Sequence, residues 1–366
     1  MRILHLIYDD PANPWVGGGG AVRVRELYAR LAGRVEAEVV TGSYPGASGG
    51  VFEGVRYRRL GRESPYAWSR ATFGLAASAL LRRARYDAAV VDFSAYTPIV
   101  VPRGRPVGVT VHHLTGPSAR ERWGAAGGSL VGLAERRLLR RAHIFSATSA
   151  ATHLLLTRIL PPGSTIVRVG AGVDERFYAV DRQEADYLLY FGRLDWFQKG
   201  LDVLVDAFAR IAATFPALTL RIAGRGRDTG RIAGAIEAAG LGKRVTLLGP
   251  VSDAERLRLL AGARLMLMPS RFEGFGMVAA EAMAAGVPLV ASSAGSLPEV
   301  VDAPSGGLLV PPEDAGALAA SASTLLADDA ARDELSRTAR RSAERFRWHI
   351  VAEDHLAFLR RIAATH

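Results

Sequence analysis

The chain has 366 residues, of which 49% are hydrophobic, with 39 glycines and 18 prolines, a composition that excludes a disordered, collagenous or low-complexity protein. With no cysteine it can have no disulfide framework, thiolate nucleophile, or cysteine-ligated zinc or iron–sulfur site. Its net charge of +10 is uneven: residues 1–178 hold 24 arginines, no lysine and 13 acidic residues, a net +11, and the remainder holds 22 basic and 23 acidic residues, a net −1.

The opening run Arg2 to Tyr8 is apolar and passes at once into Asp9 and Asp10, so it reads as a short strand and not as a secretion signal; no stretch reaches the roughly 18 apolar residues that span a bilayer. These features lead us to expect a cytoplasmic protein that touches a membrane, if at all, from its inner face. Beyond the first strand, runs rich in Val, Ile and Leu are expected as strands at Ala37 to Thr41, Ala88 to Asp92, Val107 to Val111, His143 to Ala147 and Thr165 to Val169. Helical periodicity separates them at Ala21 to Leu31, Tyr66 to Arg83 and Gly132 to Arg141. The rhythm restarts with strands at Tyr187 to Phe191, Leu218 to Ala223, Val245 to Leu248, Leu265 to Met268 and Leu289 to Ala291, and helices at Gly200 to Thr214, Gly230 to Ala239, Asp253 to Ala261 and Val278 to Ala285. This alternation predicts two doubly wound parallel-sheet units of α/β class. We expect the first over 1–178, the second over 179–346, and a C-terminal helix over 347–366 that packs back on the first. Ligands of such sheets bind beyond the carboxyl ends of the strands, so functional residues are expected in loops that follow strands, lining a cleft between the two sheets.

Three segments carry chemistry. After the first strand come Gly17, Gly18, Gly19 and Gly20, then a helix start, a seat where backbone N–H groups can approach a phosphate or a sugar. After the strand Leu265 to Met268 comes Pro-Ser-Arg-Phe-Glu273-Gly-Phe-Gly-Met-Val-Ala-Ala-Glu281, in which glycines hold Glu273 in a loop and the amides of Gly276, Met277 and Val278 open a helix toward an incoming anion. Carboxylates beside a phosphate are tolerated where ligand hydroxyls bond to them, which points to a polyol with a diphosphate, such as a nucleotide sugar. After Val107 to Val111 stand His112 and His113; His112 is our choice as the functional one, with His113 as the alternative. No pattern of metal ligands, no serine nucleophile elbow and no Walker loop is present, so no metal or cofactor is expected.

The spacing Glu273 to Glu281 resembles the E-x7-E motif of the retaining glycosyltransferases of family 4, which have the GT-B fold of two facing Rossmann-like domains. Phe191-Gly-Arg193-Leu with Lys199-Gly-Leu, Ile222-Ala-Gly224-Arg-Gly226, Val245 to Asp253, and Gly295-Ser-Leu-Pro-Glu299 resemble further stretches of that family in the same order. The resemblance implies transfer of a sugar from a nucleoside diphosphate sugar, UDP-linked for preference, to an acceptor hydroxyl with retention. By it, Arg193 and Lys199 contact the donor diphosphate, Glu281 receives the ribose hydroxyls, and Glu273 lies near the transferred sugar. Phe275, Gly276, Met277 and Val278 supply backbone contacts, Arg225 and Val251 lie near the base and ribose, and His112 contacts the donor sugar. Gly18, Gly19, Gly20 and Gly224 complete the donor seat. The acceptor, a small molecule, a lipid or a glycan, is expected against loops at Ser43 to Gly54 and Thr115 to Gly128. The alternatives are a nucleotide-sugar epimerase of the same fold and a non-catalytic binding module. Without aromatics interleaved among basic residues, nucleic acid is not an expected partner. Arg136, Arg137, Arg140 and Arg141 form i, i+4 pairs, either a solvated face or a contact for an anionic membrane.

Overall fold

Strands that are buried on both faces need helices on both sides, and in the computed structural model the chain forms two such layered units. One comprises Met1–Gly172 together with the C-terminal stretch from Trp348, the other Val173–Arg347. The structure describes residues 1–15, 18–114 and 116–365, with side chains left out over 116–123. Gly17 of the glycine run and Thr115 therefore lie outside the described residues.

The first sheet contains β1 (Arg2–Leu6), β2 (Glu36–Gly42), β3 (Gly50–Phe52), β4 (Val55–Leu60), β5 (Ala88–Asp92), β6 (Val107–Val111), β7 (Ile144–Ala147) and β8 (Thr165–Arg168), in the order β3-β4-β2-β1-β5-β6-β7-β8. Every residue of β5 and β6 is buried, as a sheet covered on both faces demands. Helices α1 (Gly19–Arg30), α2 (Tyr66–Arg83), α3 (Gly116–Leu139) and α4 (Ala150–Ile159) connect these strands.

The second sheet contains β9 (Ala185–Phe191), β10 (Thr219–Ala223), β11 (Val245–Gly249), β12 (Ala263–Met268), β13 (Leu289–Ser292) and β14 (Leu308–Val310), in the order β11-β10-β9-β12-β13-β14. Its helices are α5 (Glu175–Tyr178), α6 (Leu201–Thr214), α7 (Thr229–Ala238), α8 (Asp253–Gly262), α9 (Met277–Ala284), α10 (Leu297–Val301), α11 (Ala315–Ala327) and α12 (Asp329–Ala343). The start of α8 is fixed by a capping box in which Ser252 and Glu255 satisfy each other's backbone N–H groups.

The last helix, α13 (Trp348–Ala363), belongs to the first unit. It buries Trp348, Val351, Ala352, His355, Leu356, Phe358, Leu359 and Ile362, one stripe at helical spacing. Two glycines make room for it. A Cβ on Gly108 of β6 would fall 2.4 Å from Ile362 Cδ1, and one on Gly172 would fall 2.3 Å from the Trp348 ring.

Several expectations need correction. The division falls at 172/173, not 178/179, because Val173, Phe177 and Val180 pack into the core of the second unit, and the C-terminal boundary falls at 347/348 rather than 346/347. The Ser43 to Gly54 loop ends in β3, which pairs antiparallel with β4, so the first sheet is not wholly parallel. Most of Thr115 to Gly128, expected as a loop, lies in α3, which is far longer than the predicted Gly132 to Arg141; its glycines mask the helical period. The helix α11, an alanine-rich run capped by Asp314, was not anticipated.

Candidate active site

In the second sheet the strand order reverses between β9 and β12, and the loops that follow these two strands meet there. Lys199, from the loop after β9, directs its ammonium at Glu273 Oε1, from the loop after β12. The Ser270 hydroxyl donates to the same oxygen at 2.9 Å. Both members of the ion pair are largely buried, so the carboxylate and the ammonium are fixed relative to the strand ends. Arg193 sits on the same loop as Lys199 but faces solvent, where its Nη2 donates to Gln198 Oε1 at 2.6 Å. Its carbonyl accepts from the Tyr190 hydroxyl at 3.0 Å, which ties the loop to β9 while leaving most of the guanidinium uncommitted among the described residues.

The loops after β9, β10 and β11 are stitched together by their backbones. Gly192 N–H donates to the Ala223 carbonyl at 3.1 Å, Leu194 N–H to Arg225 at 2.9 Å, and Gly224 N–H to Gly249 at 2.8 Å. Gly224 is required there, since a Cβ would fall 1.7 Å from the Gly192 carbonyl oxygen. The Arg225 side chain is exposed, and Val251 is half-buried against the core beneath.

Gly276 adopts a left-handed φ of 88° and opens α9. The Gly276 carbonyl accepts from Ala279 and Ala280 N–H, and the N–H groups of Met277 and Val278 make no such bond among the described residues. They form the positive end of a helix beside Glu273. Phe275 is anchored edge-on against Phe346, with 5.8 Å between ring centroids.

Glu281 of α9 does not face solvent. It is buried and ion-paired with Arg256 of α8. The guanidinium lies 4.9 Å from the Phe177 ring centroid and 4.3 Å from that of Phe191, and burial pulls its pKa down to about 10.

In the first unit, His112 follows β6 and its Nε2 is 2.8 Å from Asp92 Oδ2. The other Asp92 oxygen is 3.1 Å from His5 Nε2, His5 Nδ1 is 2.9 Å from the Tyr28 hydroxyl, and that hydroxyl is 3.3 Å from His355 Nε2 on α13. Burial raises the Asp92 carboxyl, but the charges and hydrogen bonds of His112 and His5 hold it well below its ordinary value. Asp92 is therefore an ionised carboxylate and accepts from His112 Nε2–H. A Cβ on Gly20 would fall 3.5 Å from His112 Nε2, so the glycine run, with Gly18 as N-cap and Gly19 and Gly20 as the first residues of α1, lies against this histidine. His113 is exposed.

The structure thus gathers Lys199, Glu273, Gly276, Met277 and Val278 in the second unit, and Gly20 and His112 in the first. Sequence reasoning missed Asp92, Ser270 and Arg256. Asp92 carried a signal, an acid ending a strand that neighbours the one bearing His112, whereas Arg256 is an ordinary helix arginine until its two rings are in place. Among the described residues no group of three or more His, Asp or Glu side chains is gathered to hold a metal, and no helix is long and apolar enough to cross a membrane.

Comparison with known proteins agrees with this architecture. Residues 18–172 match the Glycosyl transferase 4-like domain, and residues 174–342 match Glycosyl transferases group 1. Glycogen synthase of Mycobacterium tuberculosis is 34% identical over 224 residues, 60% of this chain and 54% of that protein. Phosphatidyl-myo-inositol mannosyltransferase of Mycobacterium leprae is 32% identical over 210 residues, 56% of this chain and 55% of that protein. The chain spans about half the length of these curated relatives. Among solved structures, sucrose-phosphate synthase from Thermosynechococcus elongatus superposes with a TM-score of 0.82 at 24% identity, covering 100% of both chains. HepE of Anabaena, in complex with UDP and glucose, superposes with a TM-score of 0.74 at 19% identity, covering 99% of this chain and 100% of its own. At those identities the likeness shows the fold alone. The two glycosyl transferase family models together take up nearly the whole chain, its fold is that of the GT-B glycosyltransferases, and its resemblance to family 4 is compatible with both matches.

Proposed function

We propose that the protein transfers a glycosyl unit from a nucleoside diphosphate sugar, with UDP as the favoured carrier, to an acceptor hydroxyl with retention at the anomeric carbon. The observation that carries this reading is the meeting of Lys199, Glu273 and the start of α9 at the strand-order reversal of the second sheet. As the bond from sugar to phosphate breaks, negative charge grows on the leaving diphosphate. Lys199, Arg193 and the amides of Met277 and Val278 stabilise that charge, and no metal is needed for it. Glu273 and Glu281 receive donor hydroxyls, the latter sharing its carboxylate with Arg256. Gly224, Arg225, Val251 and Phe275 shape the nucleotide seat, the glycine run Gly18 to Gly20 adds backbone donors, and His112 bonds to the transferred sugar through its free nitrogen. In front-face displacement the departing phosphate takes the acceptor's proton, so no side-chain base is required.

Two features of the relatives support the reading: curated relatives are named for glycosyl transfer, and HepE of the same fold holds UDP and glucose. We place the protein in the cytoplasm. Leu130 and Leu133, both exposed on α3 near Arg136, Arg137 and Arg140, offer an apolar and basic face to an anionic membrane. The enzymatic reading is tested by incubating the chain with UDP-, GDP- and ADP-glucose and following the anomeric signals by proton NMR. Release or transfer of α-configured glucose is expected. First appearance of the β-anomer contradicts retention, and conversion of a donor into a different nucleotide sugar without acceptor favours the epimerase.

A further inference from the structure

The first sheet has its own reversal of strand order, between β1 and β5, and two side chains gathered beyond it, Asp9 and Arg70, have no part in the proposed binding of the donor diphosphate. Asp9 lies just past β1. It is largely buried and makes no hydrogen bond or ion pair among the described residues; burial raises its carboxyl above the ordinary value, against the opposing charges of Arg70 and His112. One of its oxygens faces the glycine run, 3.9 Å from where a Cβ on Gly18 would stand.

Arg70, on α2, is held by neutral acceptors: Nε donates to Thr97 Oγ1 at 2.6 Å, Nη1 to the Tyr66 hydroxyl at 2.5 Å and Nη2 to Ser94 Oγ at 3.2 Å. Its guanidinium packs 4.5 Å from the Tyr8 ring centroid and 5.5 Å from that of Tyr66, whose ring in turn meets Trp15 edge-on at 5.5 Å. The fork is therefore fixed in place by neutral hydrogen-bond partners, near enough to Asp9 for their charges to interact, with one N–H on each terminal nitrogen uncommitted among the described residues. A pre-oriented guanidinium of this kind suits bidentate recognition of a phosphate or carboxylate. A buried carboxylate without a donor gains most from a ligand that brings one. Both face the end of the sheet that carries His112.

We infer that Asp9 and Arg70 form a subsite for a hydroxylated acceptor that bears a phosphate or carboxylate, with Arg70 holding the anion and Asp9 accepting a hydrogen bond from a hydroxyl. The net +11 of residues 1–178 draws such a molecule in. Calling the ligand the acceptor rests on the proposed transferase activity, but its binding is measurable without turnover.

The test is calorimetry on the full chain with matched probes: glucose 6-phosphate and glucuronate against glucose, inositol 1-phosphate against inositol, and phosphatidylinositol vesicles against phosphatidylcholine vesicles. At least one anionic probe should bind about tenfold to a hundredfold more tightly than its neutral counterpart. Arg70→Gln should erase that preference, Arg70→Lys should keep part of it, and Asp9→Asn should weaken the anionic probe and its neutral counterpart alike. A preference confined to vesicles and lost in Arg70→Gln assigns a lipid headgroup; one seen with soluble probes assigns a free sugar or polyol. The absence of any anionic preference, or wild-type preference in Arg70→Gln, overturns the subsite. UDP affinity, read on the same samples, should be unchanged in Arg70→Gln. If wild-type protein binds no UDP, it is the transferase reading that fails, separately from the subsite. Should Arg70→Gln not fold, Arg70→Lys carries the comparison.

Discussion

Asp92 joins two imidazoles inside the first unit, and its titration is a direct measure of how well that arrangement is held. Burial alone would raise its carboxyl, yet His112 and His5 hold it well below its ordinary value of 3.8. Between the folded and unfolded values the unfolded chain binds the proton and the folded chain does not, so stability rises with pH in that window. The contribution is complete above about pH 4 and is lost as pH falls further, at about 1 kcal/mol per pH unit. Urea unfolding from pH 2.5 to 6 should show the wild type losing stability below about pH 4 more steeply than Asp92→Asn, with parallel curves above. Equal slopes would mean that Asp92 is not the paired carboxylate described here. The same residue shows why part of the site escaped the sequence. His112 was legible because it ends a strand inside a motif resemblance, but the acid that orients it is 20 residues away and comes alongside only when β5 pairs with β6.

At the scale of elements, α13 shows a long-range choice that local sequence does not encode. Its apolar stripe from Trp348 to Ile362 was readable as a helix, whereas its seat on β6 depends on Gly108, a glycine in a strand that otherwise reads as Val-rich. Replacing Gly108 with Val would push a methyl-bearing carbon into Ile362 and Phe358, so α13 must shift or the sheet must bend. We expect Gly108→Val to destabilise the protein by about 1–3 kcal/mol, with the amides of α13 losing protection in hydrogen exchange before those of β9 to β14. Uniform loss across both units would contradict this seating. Elements with strong local signals, such as α2 and β6, fell where the sequence put them. The misses include α3, where glycines blur the period, and β3, a short edge strand that gains its partner only through the hairpin to β4.

At the scale of the whole molecule, two sheets, parallel but for β3 and each with its strand order reversing at one point, place two sets of candidate groups beyond strand ends. The doubly wound class followed from the alternation of strands and helices alone, and the segment from Glu273 to Glu281 stood out as a candidate because its glycines, acids and helix start lie within one short stretch. What the sequence could not supply was the pairing across loops, Lys199 with Glu273 and Arg256 with Glu281, because these residues are brought together only by the pairing of β9 with β12 and the packing of α8. The central claim is that Lys199 and Arg193 receive the donor diphosphate, and titration calorimetry of UDP with the wild type, Lys199→Ala and Arg193→Ala tests it most directly. One UDP should bind per wild-type chain, and each substitution should weaken binding by about tenfold or more; Arg193→Ala should leave the Tm of the ligand-free protein unchanged, whereas Lys199→Ala should also lower it, because it leaves the buried Glu273 carboxylate without its cation. Wild-type affinity in both variants, or no binding of UDP, GDP or ADP by the wild type, would contradict it.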